Sequence, residues 1–216
     1  MLVAPSLLSA DFLNLEKDVQ LVNSHADIFH LDVMDGVFVP NISFGFPVVE
    51  AVAKMAVKPL DVHLMIVEPW KYAERFAKAG ASMISFHYEA ARDKSRELIC
   101  TIQSLGVKAG IVINPDCPVE SIFPFLDTVD FVLIMSVFAG FGGQKFIPES
   151  LERIKTLKAR MESIGRIVPI EVDGGIGPGN SRDLAAAGAS ILVAGSSVFK
   201  APDPAEAIFL MKNARL

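Results

Sequence analysis

Eight short apolar runs recur along the chain, at 3–8, 28–33, 60–65, 83–87, 108–113, 131–137, 168–172 and 190–194. Their near-continuous Ile, Val, Leu and Met is the mark of parallel strands covered on both faces rather than of half-exposed ones. Between them the apolar positions fall at helical spacing: Phe12, Leu15, Val19 and Val22 form one stripe, and Ile147, Leu151, Ile154, Leu157 and Met161 another. Gly80, Gly106 and Gly188 follow such segments, where a left-handed terminal residue is wanted. Pro148 lies near a helix start, where its missing N–H costs nothing. Eight strand–helix units without a linker predict an α/β fold, a single TIM (β/α)8 barrel domain over 1–216, with an open doubly wound sheet as the alternative. The segments "AGASMISFH" (79–87) and "AGASILVAG" (187–195) lead into strands four and eight, as a half-barrel duplication would require. Ala-Gly-Ala is also a common helix-to-strand junction.

The active site of such a barrel forms at the C-terminal strand ends, so the polar residues placed there carry the information. In "HLDVMDGVFVP" (30–40), strand alternation puts His30, Asp32 and Met34 on one face. A buried ionised carboxylate is costly unless paired or metal-bound. His63 and His87 sit at or near the ends of strands three and four, Asp173 closes strand seven, and Ser6 lies near the end of strand one. Taken singly, each has an ordinary reading: a hydrogen-bonded core histidine, or an aspartate forming a turn before glycine. Asp35 reads as such a turn-former, and His25 as a solvated helix terminus. Taken together, His30, Asp32, His63 and Asp173 supply two imidazoles and two carboxylates from three strand ends. That set suits one divalent ion, Zn²⁺, Fe²⁺, Mn²⁺ or Co²⁺, and is too nitrogen-rich for Ca²⁺ or Mg²⁺ alone. Three glycine-rich turns, "GFGGQ" (140–144), "DGGIG" (173–177) and "GSS" (195–197), follow strands six to eight. Backbone N–H groups at such turns approach an anion closely, and these loops are the frequent phosphate site of the fold. No NTP-binding P-loop and no dinucleotide fingerprint is present.

Composition narrows the partners. The 216 residues are 51% hydrophobic with a net charge of −5, which argues against nucleic acid or an anionic membrane. The longest uncharged runs, 131–144 and 184–199, fall short of the ~18 apolar residues a bilayer needs. Cys100 and Cys117 are too few for a disulfide framework and read as small packing residues in a reducing compartment. With no basic segment near Met1, a cytoplasmic location is expected. The high hydrophobicity predicts a homo-oligomer, with dimer and hexamer both open.

At these residues the chain resembles a known family. "PSLLSADF" (5–12), "HLDVMDGVFVPNISFG" (30–45), "DVHLM" (61–65), "FHYEA" (86–90), "GFGGQKFI" (140–147), "EVDGGI" (171–176) and "VAGSSVF" (193–199) look like the ribulose-phosphate 3-epimerase family, in its order and over nearly the whole chain. The resemblance implies metal-dependent interconversion of D-ribulose 5-phosphate and D-xylulose 5-phosphate. By motif match, His30, Asp32, His63 and Asp173 would ligate the ion, with Asp32 the proton acceptor and Asp173 the donor in the ribulose-to-xylulose direction. Ser6, His63 and the loop Gly140, Phe141, Gly142 and Gly143 would contact the sugar; Gly174, Gly175, Gly195 and Ser196 would hold the phosphate end. Met34, Met65 and Met135 resemble the family's sulfur-rich cavity wall. One departure stands out. Phe138-Ala139 replaces the usual acidic residue or Asn followed by Pro, so a freer strand-six loop is expected. The alternative substrate is the six-carbon D-allulose 6-phosphate. A Schiff-base aldolase lacks a well-placed lysine, the decarboxylase run Asp-x-Lys-x-x-Asp is missing, and a silent phosphosugar-binding protein would not need both aspartates.

Overall fold

A computed structural model describes residues 1–214. Eight parallel strands, β1 (Leu2–Pro5), β2 (Phe29–Met34), β3 (Leu60–Met65), β4 (Met83–His87), β5 (Lys108–Ile113), β6 (Phe131–Met135), β7 (Ile170–Asp173) and β8 (Ile191–Ala194), form one sheet. Its order is β1-β8-β7-β6-β5-β4-β3-β2, and a bridge between Ser6 and His30 joins its two ends. The helices are α1 (Leu15–His25), α2 (Phe46–Ala53), α3 (Ala73–Lys78), α4 (Tyr88–Ala91), α5 (Ser95–Ser104), α6 (Ser150–Ser163), α7 (Ser181–Ala187), α8 (Ser196–Phe199) and α9 (Pro204–Lys212). This is the TIM barrel that the apolar runs predict. Among the described residues no helix is long and apolar enough to cross a membrane.

Strand alternation divides the core. Outward-facing residues such as Leu31, Val62, Ile84, Ile111, Val132 and Leu192 pack beneath the helices in the largest apolar cluster. The inward-facing set stratifies. Ala4, Ile28, Met83, Phe131, Ile191 and Val193 make an apolar floor, and the Phe131 ring fills the space left by Gly110, where a Cβ would come within 2.3 Å of it. Above that floor the interior turns polar, which positions the site.

The expected helical stripes are shortened at their starts. Phe12 falls in a 3-10 turn, Phe12–Asn14, and is half exposed, while Ile147 precedes α6 as an irregular residue. The unit after β5 uses a 3-10 helix, Val119–Phe125, because Pro124 within it cannot supply the N–H an α-helix requires. Gly80, Gly106 and Gly188 do adopt positive φ at helix ends. The cysteines differ from the packing reading: Cys100 is exposed and Cys117 is at the half-buried surface.

Candidate active site

The register of β2 against β3 sets Asp61 beside His30 and His63 beside Asp32. All four side chains point inward and are buried. Asp32 is the hub. Its Oδ1 lies 3.3 Å from His30 Nε2 and 3.2 Å from His63 Nδ1, and its Oδ2 accepts a 2.5 Å hydrogen bond from Ser6 Oγ. Asp173, at the end of β7, completes the group: one donor atom from each of His30, Asp32, His63 and Asp173 lies within 4.8 Å of the others. The structure thus brings together the four residues that sequence singled out. These donors fit a divalent ion. His30 Nε2 is fully buried yet has no hydrogen-bond partner, and Asp61 Oδ2, 2.6 Å from Nδ1, anchors the ring so that Nε2 faces the group. Two imidazole nitrogens with two carboxylates match the intermediate ions of the first transition row.

The two aspartates differ in proton affinity. Burial alone would raise the Asp32 carboxyl, but the His30 charge beside it and the hydrogen bond from His63 hold it far below the usual range. Burial, aided by the Asp32 charge, pushes Asp173 up to about 7. Burial lowers His63 to about 4; His30 goes the other way, because the Asp32 and Asp61 charges outweigh its own burial and raise it. One carboxylate is therefore ionised and the other holds a proton near neutrality, the division of labour an acid–base pair needs.

Sequence reasoning missed a second layer just below. Asp61 and Glu171 are fully buried around His30 Nδ1, and Asp61 Oδ1 and both Glu171 oxygens lack hydrogen-bond partners. Each lies two residues before a singled-out residue, Asp61 before His63 and Glu171 before Asp173, so period-two alternation was the signal available. Burial, reinforced by the Asp61 charge, pushes Glu171 up to about 8 from an ordinary 4.5. The folded chain binds that proton more tightly than the unfolded chain does. Its stabilisation is therefore complete below pH 4.5 and lost as pH rises through about 8. Urea titrations of chelator-treated protein should show stability falling across this window by on the order of 4 kcal/mol. Glu171→Gln, which mimics the protonated form, should lessen that fall and leave the part due to Asp173 and His30; an unchanged slope would mean Glu171 does not hold the proton.

Above the ligand group opens a cleft of about 550 Å³, including space shared with solvent. Ser6, Asp32, Gly140, Phe141, Gly142, Gly143, Asp173, Gly174, Gly175, Gly195 and Ser196 all line it. His30 and His63 do not reach its wall and lie beneath. Met34, Met65 and Met135 line it, as the resemblance implies. The glycines after β7 are dictated by close approach: a Cβ at Gly175 (φ +65°) would sit 2.3 Å from the Phe146 nitrogen, and one at Gly174 (φ +122°) 2.5 Å from Val137. The N–H groups of Gly175, Ser196 and Ser197 find no acceptor among the described residues, and a hollow lined by these residues adjoins the cleft. Such free donors at loop–helix junctions form a cradle for an anion. Asp35 is the turn residue expected, accepting from Val37, Phe38 and Val67 N–H.

Against known proteins, the profile of the ribulose-phosphate 3 epimerase family matches residues 2–199. The chain belongs to this family. Among curated relatives, the ribulose-phosphate 3-epimerase of Synechocystis sp. is 49% identical over 217 aligned positions, covering 100% of this chain and 94% of that protein. The enzyme of the same name from Bacillus subtilis is 47% identical over 215, covering 99% of each. Of solved structures, KGPDC from Streptococcus mutans in complex with D-R5P superposes with a TM-score of 0.77 at 14% identity, covering 98% of this chain and 95% of that one. A likeness at that identity speaks for the barrel alone; membership of the epimerase family rests on the sequence matches.

Proposed function

We propose that this protein, acting over 1–216 as one catalytic domain, is a metal-dependent ribulose-phosphate 3-epimerase that interconverts D-ribulose 5-phosphate and D-xylulose 5-phosphate. The observation that carries the reading is the pair Asp32 and Asp173, which enter one cleft from β2 and β7 beside two histidine nitrogens. Inverting C3 beside a C2 ketone needs a proton removed from one face and another returned on the opposite face. Asp32, ionised, takes the C3 proton; Asp173, protonated, delivers one to the other side of the planar enediolate. Ser6 holds Asp32 through Oδ2 and keeps its other oxygen directed toward the ligand group. His30, Asp32, His63 and Asp173 would hold a divalent ion, drawn from Zn²⁺, Fe²⁺, Mn²⁺ and Co²⁺, which would supply Lewis-acid stabilisation of negative charge at C2. Ser6 and the loop Gly140–Gly143 contact the sugar, while Gly174, Gly175, Gly195 and Ser196 bind the phosphate, whose remote binding energy orients C3. His63, which lies beneath the cleft wall, serves the ligand group rather than making the sugar contact that the family resemblance implies. The proposal extends to a cytoplasmic homo-oligomer, supported by two cysteines only and by exposed Leu13, Val37 and Ile42.

Proton NMR in D₂O tests it. With D-ribulose 5-phosphate, the xylulose epimer should appear with deuterium at C3. If D-allulose 6-phosphate alone turns over, the chemistry holds and the substrate assignment fails. If neither sugar exchanges, the acid–base assignment falls.

A further inference from the structure

The loop after β6 is held by three carboxamides. Ala139 N–H donates to Asn114 Oδ1 at 3.1 Å, and Asn41 Nδ2 donates to the Gly140 carbonyl at 2.9 Å. Gln144 Nε2 closes the loop on itself, donating to the carbonyls of Phe138 at 2.7 Å and Phe141 at 2.9 Å. The base is thus gripped from β2's side and β5's side of the barrel, while Phe141, Gly142 and Gly143 project as an exposed tip. The first grip depends on the residue at 139: a proline has no N–H to donate, whereas alanine does. Ala139 therefore does not free the loop, as its sequence implies; it gives the loop a bond.

Asn114 is itself fixed. Its N–H donates to Glu89 Oε1 at 2.7 Å, and its carbonyl accepts from Arg153 Nη2 at 2.7 Å. Because the Ala139 N–H can only donate, Asn114 Oδ1 must face it, and Nδ2 must face the other way. There it meets His87 Nδ1 at 3.4 Å, and His87 Nε2 in turn lies 3.0 Å from His63 Nε2. His87 is completely buried and touches no cleft surface, and it is the one strand-end histidine left without a role in the proton transfer.

We infer that Asn114 is a positioning residue that anchors the cleft-lining loop at Ala139 and links it, through His87, to the candidate ligand His63. Asn114 lines no part of the cleft, so it acts on substrate only through the loop. A loop ordered before substrate arrives spares the cost of ordering it at binding. The kinetic part of this inference rests on the epimerase reading above; the anchoring part does not.

The test follows amide exchange by NMR in ¹⁵N-labelled, metal-loaded protein, alongside steady-state kinetics with D-ribulose 5-phosphate. In the unaltered protein, the Ala139 amide should exchange at least about tenfold more slowly than those of Phe141, Gly142 and Gly143. Asn114→Ala should abolish that difference. Asn114→Asp, which retains the acceptor oxygen, should preserve it. Asn114→Ala should also raise KM about tenfold while kcat stays within about threefold, because Asp32 and Asp173 are untouched. If Ala139 is as labile as the tip in the unaltered protein, or stays protected in Asn114→Ala, the anchor does not exist. Equal falls in kcat and in kcat/KM would overturn the positioning role. Normal exchange behaviour in a protein that leaves ribulose 5-phosphate unchanged would keep the anchor and reject the epimerase reading instead.

Discussion

Asp173→Asn is expected to lower net conversion of D-ribulose 5-phosphate by about a thousandfold or more, yet to leave exchange of its C3 proton with solvent measurable. The reason lies in the placement of the two carboxylates. Asp32 is held ionised by the His30 charge and by its hydrogen bonds, so on the proposed mechanism it should still remove the proton and return a deuteron to the same face. What is missing is the acid on the opposite face. Asp32→Asn should give the mirror result, with exchange into D-xylulose 5-phosphate alone. Deuterium incorporation by NMR, with ion content measured on each variant, distinguishes this from a simple loss of the ion. Should either variant silence exchange from both epimers while retaining its ion, a single group must be serving both faces and the two-carboxylate assignment is wrong.

Removing the ion should be as severe. Dialysis against a strong chelator is expected to lower turnover by about a thousandfold or more, with recovery on adding Zn²⁺, Co²⁺, Mn²⁺ or Fe²⁺ and little on adding Ca²⁺. The pH dependence of ion affinity follows from His30. Its imidazole is raised because the Asp32 and Asp61 charges outweigh burial, so in the metal-free protein it holds a proton that an ion at Nε2 must displace. Affinity should therefore fall as pH falls, by about tenfold per unit for one displaced proton, in competition titrations against a metal-binding dye. An affinity flat with pH would place the ion elsewhere.

The strands were the most legible part of the chain. The runs 60–65, 83–87 and 108–113 coincide with β3, β4 and β5 residue for residue. Runs 3–8 and 131–137 overshoot, because apolar character continues after the chain leaves the sheet: Ser6 caps a 3-10 turn at Leu7–Ser9, and Val137 packs under Gly174. The site residues were legible because polar side chains are rare on buried strands. Asp61 and Glu171 obey the same rule but were absorbed into the motifs around them, since an apolar strand pattern says nothing about how deep polar residues continue into a barrel. Asn114 could not be read at all. An asparagine before Pro115 looks like an ordinary turn residue, and only the fold brings its carboxamide to Ala139, 25 positions away.

The seam of the barrel gives the ligand group a mechanical meaning. The sheet is a strip whose two ends, β1 and β2, meet through one bridge at Ser6 and His30, whereas every other neighbouring pair runs side by side over several residues. His30, Asp32 and His63 stand on one side of that junction; Asp173 stands on the other, two strands away through β8 and β1. An ion gripped by all four would span the gap and staple the strip into a hoop. Such a cation would also be the rivet at the weakest joint of the barrel, and heat should open the metal-free protein first at that joint.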